Sequence, residues 1–229
     1  LDLRTESLNI RFEGVAVVDA VSLTFPAGCR VLLMGNAAAG KTTLLKSLAG
    51  LCAPTAGTVR WGEEDAYGLS RDERRVRQAS FGMVFQTDAL FDSLSVLDNV
   101  LLPLTNRKVP KAEGLERARA ALDQVGLSDA AAKFPERLSG GMRRRAGIAR
   151  AIVARPHVLI ADDPLAGLDP HTGAQVSELL LRVSAGCTLL VAATEPPPGL
   201  SAPRWVWIES GRVAHDGSPN ASLLEAGAA

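Results

Sequence analysis

The chain has 229 residues, 47% hydrophobic and 22% charged: enough for one large core, and too apolar for a disordered chain. Lys plus Arg total 25 and Asp plus Glu total 25, and a formal net charge of zero argues against a free-standing nucleic-acid binder. Cys29, Cys52 and Cys187 form no metal-binding spacing and fit a reducing compartment. The opening LDLRTESLNI carries no signal-peptide pattern, and no uncharged apolar window of about 18 residues predicts a membrane span.

In chain order, SLNIRF and AVVDAVSLTF alternate apolar with polar residues and predict half-buried strands, with PAG turning the chain after the second. CRVLLMG is an apolar strand that runs into a glycine, and Lys41 to Ala49 predicts a helix that Gly50 can end. GTVRW and SFGMVFQ read as strands, and the Arg-rich residues 63–80 between them as a solvated excursion. ALFDSLSVLDNVLLPL mixes loop and helix. Residues 112–125 predict a helix closed by Gly126, and SGGMRRRAGIARAIVA a helix that stops before Pro156. HVLIAD, the helix HTGAQVSELLLRV, CTLLVAA and RWVWIESGRV complete the set. Strands separated by helices predict a mostly parallel α/β sheet, with the helical stretch near 88–154 as a second lobe.

GNAAAGKT fits G-x-x-x-x-G-K-[ST], between a strand and a helix. In such a loop the backbone N–H groups of Gly35, Asn36, Ala37, Ala38, Ala39 and Gly40 wrap phosphates. Lys41 reaches the terminal phosphates, Thr42 can ligate magnesium, and Thr43 continues the helix start. A glycine-rich turn with a chance lysine is the plain alternative, and the flanking strand and helix favour nucleotide binding. Ala38 is tolerable there only if its backbone stays out of the glycine-only region.

With that loop in place, three later segments resemble the ATP-binding subunits of ABC transporters. LSGGM (Leu138 to Met142) is similar to the family's signature sequence, VLIADDPLAGLD to its Walker B strand and D-loop, and GMVFQ, ending at Gln86, to its Q-loop. The resemblance covers about residues 1–217. It implies an α/β P-loop NTPase of the ABC ATPase type, with a RecA-like core, an antiparallel β subdomain and a helical signature lobe. The implied layout is one domain over residues 1–229: a nucleotide-binding core at 1–87 and 156–217, a helical lobe at 88–155 and a weakly structured tail at 218–229. ATP and Mg2+ are the implied ligands, sandwiched in a homodimer or pseudo-dimer in which Ser139, Gly140 and Gly141 of one copy face the phosphate loop of the other. As an isolated motif, Ser139 would instead be an ordinary helix cap. Asp162 would hold magnesium, Gln86 would sense the metal and the attacking water, and Asp169 would sit at the dimer interface. Phe12 falls where an aromatic commonly stacks on adenine, although an aromatic on a first strand is also a core residue.

FGMVFQTDALFDSLSVLDNVLLPL and the methionine in LSGGM further resemble the Mla/Mce-type ATPases, which energise phospholipid transport in diderm bacteria. Other importers, the FtsE-like and the lipoprotein-release ATPases share much of this frame. The resemblance implies a peripheral protein on the cytoplasmic face of the inner membrane. Its partners would be a multi-span permease, periplasmic lipid-binding subunits and small cytoplasmic accessory subunits, with no nucleic acid. Leu90, Phe91, Leu94, Val96, Leu97 and Val100 are too many large side chains to leave wet. Some complete the lobe's own core, and the resemblance implies that Leu90, Phe91 and Leu94 receive a short helix of the membrane subunit. Arg143, Arg144, Arg145, Arg150 and Arg155 are expected to face solvent or form salt bridges.

Asp163 stands where the family has the glutamate that handles the attacking water, one methylene shorter. Thr194 stands where the family has a switch histidine, and a threonine donates a hydrogen bond but carries no charge. His157, His171 and His215 do not obviously fill that gap. With Ala38, these departures leave two expectations: a slow transport ATPase, or a nucleotide-gated structural module of the FtsE-like kind with little turnover. A soluble ABC protein acting on ribosomes or DNA would need a second cassette or a long coiled-coil insertion, and this chain shows neither.

Overall fold

A computed structural model describes residues 1–87 and 89–219. The chain opens with β1 (Leu3–Phe12) and β2 (Val15–Phe25), then β3 (Arg30–Met34) and α1 (Lys41–Leu48). After β4 (Ala56–Trp61), β5 (Glu64–Asp65), α2 (Arg71–Gln78) and β6 (Phe81–Val84) come three helices, α3 (Val96–Asn106), α4 (Lys111–Gln124) and α5 (Gly140–Ile152). The chain closes with β7 (Val158–Asp162), α6 (Pro170–Val183), β8 (Thr188–Ala193), β9 (Arg204–Glu209) and β10 (Arg212–Gly217). Among the described residues no helix is long and apolar enough to cross a membrane.

An antiparallel sheet in the order β2-β1-β4-β5 lies beside a six-stranded sheet in the order β10-β9-β3-β8-β7-β6. In the larger sheet β9, β3, β8, β7 and β6 run parallel, and β10 pairs antiparallel at the edge. Every residue of β7 and β8 is buried, as expected for central parallel strands covered on both faces. The pleat divides β3 between two cores. Leu32 and Met34 join the core shared with the helical lobe, while Val31 and Leu33 join the core shared with α1 and the antiparallel sheet.

The predicted solvated excursion at 63–80 is ordered. It holds β5 and α2, a helix with no buried residue that a capping box starts: Ser70 accepts from the Glu73 N–H and Glu73 accepts from the Ser70 N–H. Arg77 pairs with Glu64 at 2.7 Å, and Gln78 donates to Gly50 O at 2.9 Å, which fastens α2 back to the core. RWVWIESGRV is a hairpin of β9 and β10, because Ser210 and Gly211 both take positive φ (47° and 79°), the two-residue turn that matches strand twist. Of the predicted tail, residues 220–229 lie outside the described residues.

Candidate functional site

Four parallel strands deliver the site residues to one edge of the larger sheet. The register pairs Met34 with Ala193, Asp162 with Ala192 and Val84 with Ala161. The phosphate loop after β3, Asp162 and Asp163 at the end of β7, Gln86 just beyond β6 and Thr194 just beyond β8 therefore emerge together. Ligands of open α/β sheets bind at this carboxyl edge.

The loop is shaped by steric necessity. Gly35 and Gly40 have φ of 146° and 103°, and a Cβ on them would stand 2.1 Å from Ile208 O and 2.3 Å from Val17 O. Ala38 occupies the left-handed region, at φ 60°. That well is reachable by an L residue at a cost of roughly 1–2 kcal/mol. Gly40 caps α1 with no side-chain hydrogen bond, and the first turn holds no acidic residue, so the helix offers its free N–H groups to an anion. Lys41 is only 8% exposed and donates to Gly35 O at 2.6 Å and Asn36 O at 2.8 Å. Burial holds its ammonium below the usual lysine range, against the opposing pull of Asp163 and Asp162.

Thr42 Oγ1 donates to the buried Asp162 Oδ1 at 2.9 Å, and Thr43 follows it on α1. Two hard oxygens side by side suit magnesium. Among the described residues no cluster of three or more His, Cys, Asp or Glu could cage an ion. Asp163 holds a left-handed backbone (φ 46°), which an aspartate adopts more readily than most residues, and donates its N–H to Ala192 O at 2.9 Å. Burial, and then the Asp162 charge, push its carboxyl above the ordinary range, while Lys41 and Arg144 pull it back. Gln86 Nε2 reaches Asp163 Oδ2 at 3.5 Å, the long limit of a hydrogen bond.

Asp163, Asp169, Thr194 and Glu195 line a cleft of ≈ 430 Å³ whose far wall is the Pro196–Pro198 run. Asp169 caps α6, accepting from the Thr172 N–H at 3.0 Å, and those bonds keep its carboxyl below the ordinary range. None of the three histidines lines this cleft. Ser139 is the exposed N-cap of α5, its Oγ accepting from the Met142 N–H at 3.3 Å, with Gly140 and Gly141 in the first turn. The Lys41 bonds to the phosphate loop, the Thr42–Asp162 bond and the Gln86–Asp163 contact do not reach these three residues. Phe12, at the end of β1, is 52% exposed and belongs to neither core.

The apolar stretch after Gln86 divides. Val96 and Val100 are fully buried, Leu90 and Leu97 pack against the core, Leu94 is half-buried and Phe91 is 52% exposed. Asn99, itself fully buried, shapes the turn that displays Phe91. Its side chain accepts from the Phe91 N–H at 2.8 Å and donates to Phe91 O, Leu94 O and Ser95 O at 3.0–3.1 Å.

Within the arginine run Arg144 departs from expectation. Arg155 is exposed, but Arg144 is 4% exposed and donates to Phe85 O (2.7 Å), Gln86 O (2.8 Å) and Ala166 O (3.4 Å). Arg143, Arg145 and Arg150 are half-buried and donate to Leu138 O, Val125 O and Ala89 O. Neither Asn99 nor Arg144 was singled out from sequence. The available signal was helical spacing: Arg144 shares a stripe with Ile148 and Ile152, both buried.

With this geometry in hand, similarity to known proteins agrees. The ABC transporter family profile matches residues 18–166. The chain is 38% identical, over 86% of its length and 55% of the relative's, to a methionine import ATP-binding protein MetN from Corynebacterium jeikeium. It is 37% identical, over 95% of its length and 86% of the relative's, to the phosphonates import ATP-binding protein PhnC 2 from a Synechococcus strain. It thus spans little more than half the length of that methionine relative. Among solved structures, it matches the dimeric cassette MJ0796 in a post-hydrolysis state bound to ADP and Pi with TM-score 0.82 and 26% identity, covering 94% of this chain and 98% of that one. It matches cbiO1 of the cbiONQ transporter from Clostridium perfringens with TM-score 0.83 and 27% identity, covering 99% and 92%. The fold is the ABC ATPase cassette, and the chain belongs to the ABC transporter family.

Proposed function

We propose that this chain is the ATP-hydrolysing subunit of a membrane transporter, working as a dimer. The observation that carries this reading is the meeting of Lys41, the Thr42–Asp162 pair and the Gln86–Asp163 pair at one sheet edge. In this reading Phe12 stacks on adenine and the loop from Gly35 to Thr43 holds the phosphates. Lys41 exchanges its two loop carbonyls for phosphate oxygens. Thr42 and Asp162 hold magnesium, with Gln86 beside it; when bound, the ion neutralises developing charge on the terminal phosphate. Asp163 orients the attacking water and accepts its proton, a task its raised pKa suits. Thr194 donates from the cleft wall. Ser139, Gly140 and Gly141 of a second copy close on the nucleotide, with Asp169 at the seam.

Hydrolysis is slow in this reading, because the Asp163 side chain is short and a misplacement of about 1 Å can cost roughly 10²-fold. A second reading, a nucleotide-gated module with little turnover, draws on the same short arm, the 3.5 Å Gln86 contact and the uncharged Thr194. ATP turnover by the full chain with its co-purifying membrane partner separates the two. The first reading expects turnover that Lys41→Ala abolishes and Asp163→Glu raises severalfold. Wild-type turnover no higher than that of Lys41→Ala, with tight ATP binding retained, supports the gated module.

The permease would seat a short helix on Leu90, Phe91 and Leu94, placing the chain at the cytoplasmic face of the inner membrane. Two cargo readings follow. Met142 in the signature and the wording of residues 89–104 support phospholipid transport between membranes, with periplasmic lipid-binding and small accessory subunits. The relatives named for methionine and phosphonate import support uptake of a small nutrient. Stimulation of turnover in the reconstituted complex by phospholipid, against stimulation by methionine or a phosphonate, decides between them.

A further inference from the structure

We propose that Arg144 is a positioning residue: its buried guanidinium locks the segment carrying Gln86 and the loop after Asp163 onto the signature helix, and so sets where Gln86 meets Asp163. Its three acceptors come from two loops far apart in the chain. Phe85 O and Gln86 O belong to the exit of β6, and Ala166 O to the turn after β7, while Arg144 itself stands on the first turns of α5 behind the Ser139 cap. Asp163 O accepts from the Ala166 N–H at 3.3 Å, so the guanidinium grips the same turn that carries the carboxylate.

Arginine suits this position for a physical reason. Its planar fork presents several donors in fixed directions and stays charged, so one side chain can fix two loops, whereas a lysine offers a single flexible point. A charged group at 4% exposure would be costly without such bonds. Movement of α5 as a unit would therefore carry the backbone of Gln86 and of Ala166 with it. The helical lobe is thereby tied to the turn that carries Asp163 by a side chain that belongs to neither the phosphate loop nor the Thr42–Asp162 pair.

The test compares Arg144→Met, Arg144→Lys and, as control, Arg145→Met, which removes a bond to Val125 O inside the lobe. In the full chain, hydrogen exchange is followed in peptides covering residues 85–87 and 166–168, with ATP affinity and turnover measured alongside. The clamp predicts that Arg144→Met speeds exchange in both peptides while Arg145→Met changes neither. ATP affinity stays within about twofold, since no phosphate-loop residue is touched, and kcat falls on the order of 10- to 100-fold. Arg144→Lys recovers part of both effects. Because Arg144 acts in part through Gln86, Gln86→Ala combined with Arg144→Met should lose less than the product of the two single losses. Unchanged exchange in either peptide, equal loosening by Arg145→Met, or multiplying losses in the double variant would overturn the proposal. The turnover arm rests on the ATPase reading. If the wild type hydrolyses no ATP, that reading fails while the exchange arm still decides the clamp.

Discussion

The two halves of the site are held by different kinds of force. The phosphate loop is shaped by backbone sterics: Gly35 and Gly40 sit against the carbonyls of Ile208 on β9 and Val17 on β2 where no side chain fits, and the helix start is continuous with the loop. The opposite side, from Gln86 to Leu94, is held by polar side chains reaching in from helices. Asn99 staples the turn at Phe91, and Arg144 ties the exit of β6 to the turn after Asp163. A loop determined by sterics has one shape. Segments held by one or two buried side chains follow the helices that carry those side chains.

Substitutions can break this contrast in graded ways. The largest effect is expected from Gly40→Ala. Its Cβ would meet Val17 O at 2.3 Å and its φ of 103° suits only glycine, so strain alone costs about 1–3 kcal/mol. ATP binding by calorimetry should be lost outright even where circular dichroism still shows a fold. Asn99→Ala should have the opposite profile. It removes four hydrogen bonds at the Phe91 turn, lowers stability by about 2–3 kcal/mol in denaturant titration and leaves ATP affinity unchanged. If Asn99→Ala weakened ATP binding as much as Gly40→Ala, the two sides would not be independently held. The smallest effect is expected from Ala38→Gly. Releasing a methyl from φ 60° should raise stability by about 0.5 kcal/mol, the strain relief being partly offset by the freer unfolded chain. A fall in stability would mean that the Ala38 methyl makes a contact worth more than its strain.

Much of the fold was legible in the chain. Apolar runs marked β3, β7 and β8, and the glycines at 50 and 126 marked helix ends at the right places. The misses have definite causes. Arg-rich composition hid α2, although the Ser70–Glu73 spacing of a capping box was there to read. Arg144 was grouped with its neighbours by charge, whereas its four-residue spacing to Ile148 predicted burial. The segment from Leu90 to Val100 offered one apolar pattern for two destinations, and only packing separated the core valines from the exposed Phe91.

By itself, the sequence determined the phosphate loop and the helix that follows it. The pattern that marks them lies within eight adjacent residues, Gly35 to Thr42, although the carbonyls that exclude a Cβ at Gly35 and Gly40 come from β9 and β2. Only the tertiary structure decided that Gln86 meets Asp163, 77 residues away in the chain, and that Arg144 turns inward to hold both their loops. Those contacts depend on the parallel register of β6, β7 and β8 and on the seating of α5 against the sheet. A local pattern such as the Arg144–Ile148 spacing marks burial, but partner choice at such distances follows from how whole elements pack.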